Sequence, residues 1–415
     1  MSILGTLADG TFIAMQGLTG AISAYQVGVS LFGIRQKQET TTHAPQKSFA
    51  IFVAAHNEAE VIEPLIENLQ TLDYPRELYD IFVICDNCTD NTAEIVRNAG
   101  ALAFERFDDA KRGKGFAIEW MLEQLWEQKK EYDAVVMFDA DNLAARDFLT
   151  EMNVKLIGGA RVIQGYLATK NPNDSWISMS MAISYYYTNR MWQLSRYNLG
   201  LANSLGGTGI TIETALLKEM GWGAHSLTED VEFTARCVER GIYPTWAHNA
   251  LVYDEKPNTM KASWKQRLRW MQGHFDCASR YFWPLLGKSI KHRNWQMLDA
   301  ALYLFQPMRL LMILLTSVVL YLQLVMPDWW AVTNIQRVML PTQYWILVNV
   351  LLYAQLPLAM FLEKANWRAY ACLPLYAIFL LTWFPITVVA LFTKNNKTWS
   401  HTVHNRAIRL DELSN

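Results

Sequence analysis

Short apolar runs alternate with helical-period stretches through the first part of the chain. Residues 49–54, 79–85 and 134–138 are brief, apolar and rich in β-branched or aromatic side chains, and each reads as a buried strand. Residues 61–72, 92–99 and 116–129 lie between and around them with apolar positions at helical spacing. This alternation predicts an α/β domain, a mostly parallel sheet with helices on both faces, whose ligands bind beyond the carboxyl ends of the strands. Two more helices are expected over residues 231–240 and 263–275.

The pattern changes toward both ends. Residues 11–34 hold no charge and are followed at once by Arg35 and Lys37, enough length to span a bilayer with its basic flank inside. Gly, Ser and Gln make this a weak anchor, with a helix lying on the membrane surface as the rival. No cleavage site follows a short apolar run, which argues against a signal peptide. Residues 310–326, 338–362 and 369–392 are likewise uncharged and predict three further membrane segments. The expected layout is an N-terminal anchor helix (1–37), a cytoplasmic α/β domain (46–258), amphipathic interface helices (259–302), transmembrane helices (303–393) and a cytoplasmic basic tail (394–415). Parity complicates it. Lys394, Lys397, Arg406 and Arg409 favour the inside, whereas three full spans after an internal domain would end outside. Residues 369–392, interrupted by Pro374 and Pro385, are the candidate for a re-entrant or flat-lying segment.

Charge and cysteine usage narrow the classes. A formal net charge of -2 offers no basic surface for nucleic acid. Five scattered cysteines do not form a disulfide framework, and the Cys85/Cys88 pair has no second pair to complete a zinc site.

The polar clusters fall where an α/β sheet binds ligands. His56, Asn57 and Glu58 follow the first strand, Asp86 the second, and Asp139 with Asp141 a later one. Acidic loops after strands are common, but three on one edge mark a site. Two carboxylates spaced as Asp139 and Asp141 can share a hard divalent cation and leave positions for phosphate oxygens. Lys111, Arg112 and Lys114, among Gly113 and Gly115, are a basic glycine-rich segment that suits phosphates. Thr228, Glu229 and Asp230 form an N-terminal helix cluster with Thr228 as cap, and Asp230 can also serve as a general base. Gly206, Gly207, Thr208 and Gly209 make a turn that lets backbone approach a sugar. Over residues 263–275, Trp264, Leu268, Met271 and Phe275 share one face, suited to a membrane surface. Gln266, Arg269, Trp270 and Gly273 share the opposite one, suited to a site.

Taken together, Asn57-Glu58, Asp86-Asn87-Cys88-Thr89-Asp90, Asp139-Ala140-Asp141, Thr228-Glu229-Asp230 and Gln266-Arg267-Leu268-Arg269-Trp270 resemble the processive family 2 glycosyltransferases, the group of cellulose, chitin and hyaluronan synthases. The match covers residues 49–273. It implies a GT-A fold, a UDP-sugar donor, Mg2+ or Mn2+, and inversion to a β-linkage. It further implies donor contacts from Asn57, Glu58, Asp86, Lys114, Asp139, Asp141, Gln266, Arg267 and Arg269. The metal would sit on Asp139 and Asp141, the acceptor on Trp270, Gly207, Thr208 and Glu229, and the base would be Asp230. Ala54 replaces a proline frequent in the family, with little consequence. The membrane part is smaller than in those synthases, so export of a polymer would need a second copy or a partner subunit. The first expectation is therefore elongation of a β-glycan from UDP-glucose or UDP-N-acetylglucosamine at the cell membrane. The alternative is transfer of one sugar to a membrane lipid.

Overall fold

The computed structural model describes residues 3–36, 43–326, 342–396 and 406–413. Lys37, Lys397 and residues 338–341, all invoked above, lie outside the described residues.

Eight strands form one sheet: β1 (Phe49–Ala55), β2 (Tyr79–Asp86), β3 (Leu102–Arg106), β4 (Ala134–Asp139), β5 (Leu143–Ala144), β6 (Val162–Thr169), β7 (Ile210–Glu213) and β8 (Thr245–Asp254). Their order is β3-β2-β1-β4-β7-β6-β8-β5. The half β3-β2-β1-β4 is parallel, as the alternation predicts. The other half is not: β7 runs antiparallel to both β4 and β6, β5 runs antiparallel to β8, and only β6 and β8 are parallel. The sheet is mixed because short β7 is inserted between β4 and β6 and runs against both.

Side-chain alternation along β1 sends Phe49, Ile51 and Val53 into one core and Ala50 and Phe52 into the other. Helices Ile62–Gln70, Thr92–Asn98 and Phe148–Ile157 cover the first face; Lys114–Trp126, Thr214–Met220 and Glu229–Glu239 cover the second. Register brings the strand ends level, Ala55 opposite Cys85 and Ala54 opposite Asp139. That edge carries the acids.

Beyond the sheet runs Met260–His292, a 33-residue helix that exceeds the expected 263–275 at both ends. It packs on Glu229–Glu239, Trp295–Leu304 and Trp383–Thr393. The face of Trp264, Leu268, Met271 and Phe275, expected at a membrane surface, packs instead against Leu310, Trp383, Ile386 and Ala390.

Of the four expected spans, two are long and apolar enough to cross a membrane, Gln306–Gln323 and Leu373–Thr393. Ile3–Ser30 is long enough, but its Gln, Ser, Thr and Gly residues dilute its hydropathy. Thr342–Leu362 offers only the shorter apolar stretch Ile346–Leu362. The region broken by Pro374 and Pro385 forms Trp367–Ala371, Leu373–Leu381 and Trp383–Thr393, each proline lying in the first turn of a new piece. The tail returns to the domain, where Arg406 pairs with Asp174 and Arg409 with Glu67.

Candidate active site

β4 ends in Asp139, and the turn after it is pinned from inside. The Asp139 amide donates to Asn142 Oδ1 (3.0 Å) and Thr208 Oγ1 (3.2 Å), and the Thr208 hydroxyl in turn bonds Asn142. Thr208, expected at the acceptor, is thus buried behind the turn as its brace. The Asp139 side chain remains 38% exposed. Asp141 is buried, accepting from the amides of Glu255 (3.1 Å, backbone) and Asn142 (3.4 Å, side chain).

Lys114 ties the sheet edge to the opposite wall. Its ammonium lies 2.5 Å from Asp139 Oδ1, 2.6 Å from the Gly207 carbonyl and 3.9 Å from Glu229 Oε1. Burial pulls its pKa down, but the charges of Asp139 and Glu229 outweigh that and leave it raised. Gly207 adopts φ +84°, and a Cβ there would sit 3.6 Å from Asp230 Oδ2. The four residues Asp139, Lys114, Gly207 and Asp230 therefore stand in sequence across a few ångströms.

Asp230 lies in the first turn of Glu229–Glu239, its Oδ1 accepting from the Val231 amide at 2.8 Å. Burial, and next the neighbouring Glu229 charge, push its pKa up to about 7. Glu229 is also raised, chiefly by burial. A carboxylate poised near neutrality and facing a cavity has the properties of a general base. Thr228 occupies the N-cap position, but its hydroxyl does not cap the helix and faces Cys277 Sγ (3.8 Å).

Gln266, Arg269 and Trp270 line the same cavity from helix Met260–His292. Gln266 Oε1 is buried without a hydrogen-bond partner, and Arg269 forms no ion pair among the described residues. Arg267, expected at the donor, is turned away. Its guanidinium lies over the rings of Phe379 (4.0 Å) and Trp383 (5.1 Å) and donates to Thr382 Oγ1 at 2.7 Å. Two steps along a helix rotate a side chain by about 200°, so Arg267 and Arg269 cannot serve one face.

At the nucleotide end, Glu58, His56 and Asp86 border the cavity. Asp86 is gripped by buried Arg106 at 2.6 Å, its register partner on β3. Arg106 escapes sequence reading because β3 does. Asn57, at φ +56°, stays off the cavity wall and accepts from the Thr89 amide (2.7 Å), fixing the Asp86–Asp90 loop. Also unforeseen is the π-helical turn Thr188–Leu194, which brings Thr188, Asn189, Trp192 and Gln193 to the wall.

All of this surrounds one cavity of about 1160 Å³. It begins at Asp86 and Asp139, passes Asp230 and Trp270, and continues between Leu310, Ile313, Leu380 and Phe384 of the apolar helices. No group of three His, Cys, Asp or Glu set for a metal occurs among the described residues. Asp139 and Asp141 supply hard oxygens only, which suits Mg2+ or Mn2+ when substrate phosphates complete the shell.

Acids at a parallel-sheet edge, a lysine across from them and a poised carboxylate beyond fit the class of glycosyltransferases. Residues 45–273, more than half of the chain, match the family model described as glycosyltransferase like family 2, and the chain belongs to that family. It is 29% identical over 306 residues to a beta-monoglucosyldiacylglycerol synthase of Nostoc sp., covering 69% of this chain and 61% of that one. It is 25% identical over 280 residues to a poly-beta-1,6-N-acetyl-D-glucosamine synthase of Staphylococcus epidermidis, 66% of each. The chain thus spans just under two thirds of the length of these curated relatives. A mannosyltransferase of Pyrobaculum calidifontis, solved with GDP-Man and Mn2+, shares the fold at a TM-score of 0.53 and 16% identity, over 94% of this chain and 100% of that one.

Proposed function

We propose that this chain transfers one hexose, with inversion, from UDP-glucose or UDP-N-acetylglucosamine to a hydroxyl of a membrane lipid. The observation that carries the reading is the continuity of the cavity, from Asp139 and Lys114 past Asp230 to Leu310, Ile313, Leu380 and Phe384. A glycan alone has no use for that apolar end. The name of the Nostoc relative points the same way. In this reading the chain sits in the cell membrane with the α/β domain on the cytoplasmic side.

Asp86 and His56 receive the nucleoside, while Lys114 and Arg269 take the diphosphate with charge-assisted hydrogen bonds. A divalent cation on Asp139 and Asp141 would add positive charge where the leaving diphosphate becomes negative. Asp230 Oδ2, the oxygen not bonded to the Val231 amide, takes the proton of the attacking hydroxyl. Trp270 offers a ring for the apolar face of a sugar. Elongation of a β-linked glycan is the second reading, favoured by that ring and by the name of the Staphylococcus relative.

The test is UDP release from a panel of UDP-sugars by purified protein with lipid and metal, wild type against Asp230→Asn. Release by the wild type alone supports the reading, and equal release by Asp230→Asn overturns the base.

A further inference from the structure

The apolar end of the cavity contains a charge that no described carboxylate neutralises. Arg309 lies one turn into Gln306–Val325, within the Gln306–Gln323 stretch apolar enough to cross a membrane, and it lines the cavity beside Leu310 and Ile313. Its guanidinium donates to Gln26 Oε1 (2.5 Å), Gln306 Oε1 (3.2 Å) and Ser23 Oγ (2.9 Å), all neutral, and its Nε is buried without a partner. Arg309 is part-buried. Of the buried arginines described, Arg106 has Asp86, Arg190 has Glu363 and Arg196 grips Asp299 through two bonds, while Arg267, which faces away from the cavity, has aromatic rings and Thr382 instead. Among the described residues Arg309 has no carboxylate. A cation without a counter-ion in such a setting is stabilised when an anion arrives.

The neighbourhood fits a headgroup. Tyr303, which feels the charge of Asp230, and Gln306 line the wall between the base and Arg309, and Tyr187 lies within the field of Arg309. A molecule with its hydroxyl at Asp230 and an oxyanion at Arg309 would then lay its chains along Leu310, Ile313, Leu380 and Phe384.

Resting on the lipid-acceptor reading, we propose that Arg309 is the recognition site for the phosphate of an acceptor phospholipid whose headgroup also carries the reacting hydroxyl. The uncharged acceptor diacylglycerol would lack this contact.

Full-length protein in phosphatidylcholine nanodiscs is given labelled UDP-glucose and UDP-N-acetylglucosamine with either phosphatidylglycerol or diacylglycerol, and acceptor KM is measured. The wild type should favour phosphatidylglycerol by roughly tenfold or more, the value of a charge-assisted contact. Arg309→Gln should erase that preference and Arg309→Lys should keep most of it. Equal use of the two lipids by the wild type overturns the proposal whether or not the variants fold, as does a preference surviving in Arg309→Gln. Inorganic phosphate should not displace phosphatidylglycerol; inhibition with both lipids alike would assign the site to free phosphate and overturn the headgroup. Label in a water-soluble polymer and in neither lipid would sink the lipid-acceptor reading itself, an outcome separate from loss of preference.

Discussion

A Cβ on Gly273 would fall 2.5 Å from Thr228 Oγ1 and 2.8 Å from the Thr228 amide nitrogen. Only glycine lets helix Met260–His292 press this close to the segment that presents Asp230, and the same closeness sets Gln266, Arg269 and Trp270 across from it. Gly273→Ala gains about 1 kcal/mol of helix propensity but must open the contact, with overpacking costs of about 1–3 kcal/mol. Misplacement of about 1 Å can cost roughly 100-fold in rate. Turnover should therefore fall far more than thermal stability, as paired activity and melting measurements would show.

The pKa of Asp230, about 7, sets a pH profile. A base must be ionised, so kcat/KM should rise with pH through about 7 and level off above it. Because Glu229 is one cause of the raised value, Glu229→Gln should move that limb to lower pH. Lys114 acts in the opposite sense, and Lys114→Met should move the limb upward while raising donor KM. Unchanged profiles in both variants would remove the electrostatic coupling.

Asp139→Ala should weaken donor binding by roughly tenfold or more, the loss expected for a contact to a charged group, and should blunt the response to Mg2+ or Mn2+. EDTA should stop the wild type. Calorimetry with UDP, with and without metal, reads both effects, and turnover persisting in EDTA would exclude the metal.

The two arginines should separate by function. Arg269→Ala should raise donor KM roughly tenfold or more, since it removes a charge-assisted contact. Arg267→Met should leave donor KM unchanged and alter only stability. Burial lowers the Arg267 pKa to about 10, and it has aromatic rings and a hydroxyl as neighbours, so an apolar side chain of similar volume fits there.

Much of this site is legible in the sequence because it lies on the parallel half of the sheet. There, apolar runs end in acids, and the pleat fixes where Asp86 and Asp139 emerge. Helical periodicity also places Gln266, Arg269 and Trp270 together. What sequence patterns leave out depends on long-range pairing. Arg106 meets Asp86 only through the β2–β3 register, and the antiparallel β7 that delivers Gly207 is four residues long. Nor does periodicity say what covers an apolar face. Trp264 and Leu268 are as compatible with lipid as with the Trp383–Thr393 helix that packs on them. Arg267 is a different case: the family resemblance implies a place at the donor, whereas its position on the helix turns it toward Phe379.

The most direct test of lipid glycosylation is where the sugar goes. Purified full-length protein, labelled UDP-glucose or UDP-N-acetylglucosamine, Mg2+ or Mn2+ and liposomes containing diacylglycerol and phosphatidylglycerol are incubated together, and the label is partitioned between organic and aqueous phases. The account predicts a single-sugar lipid in the organic phase, absent with Asp230→Asn. Label confined to a water-soluble polymer would contradict it.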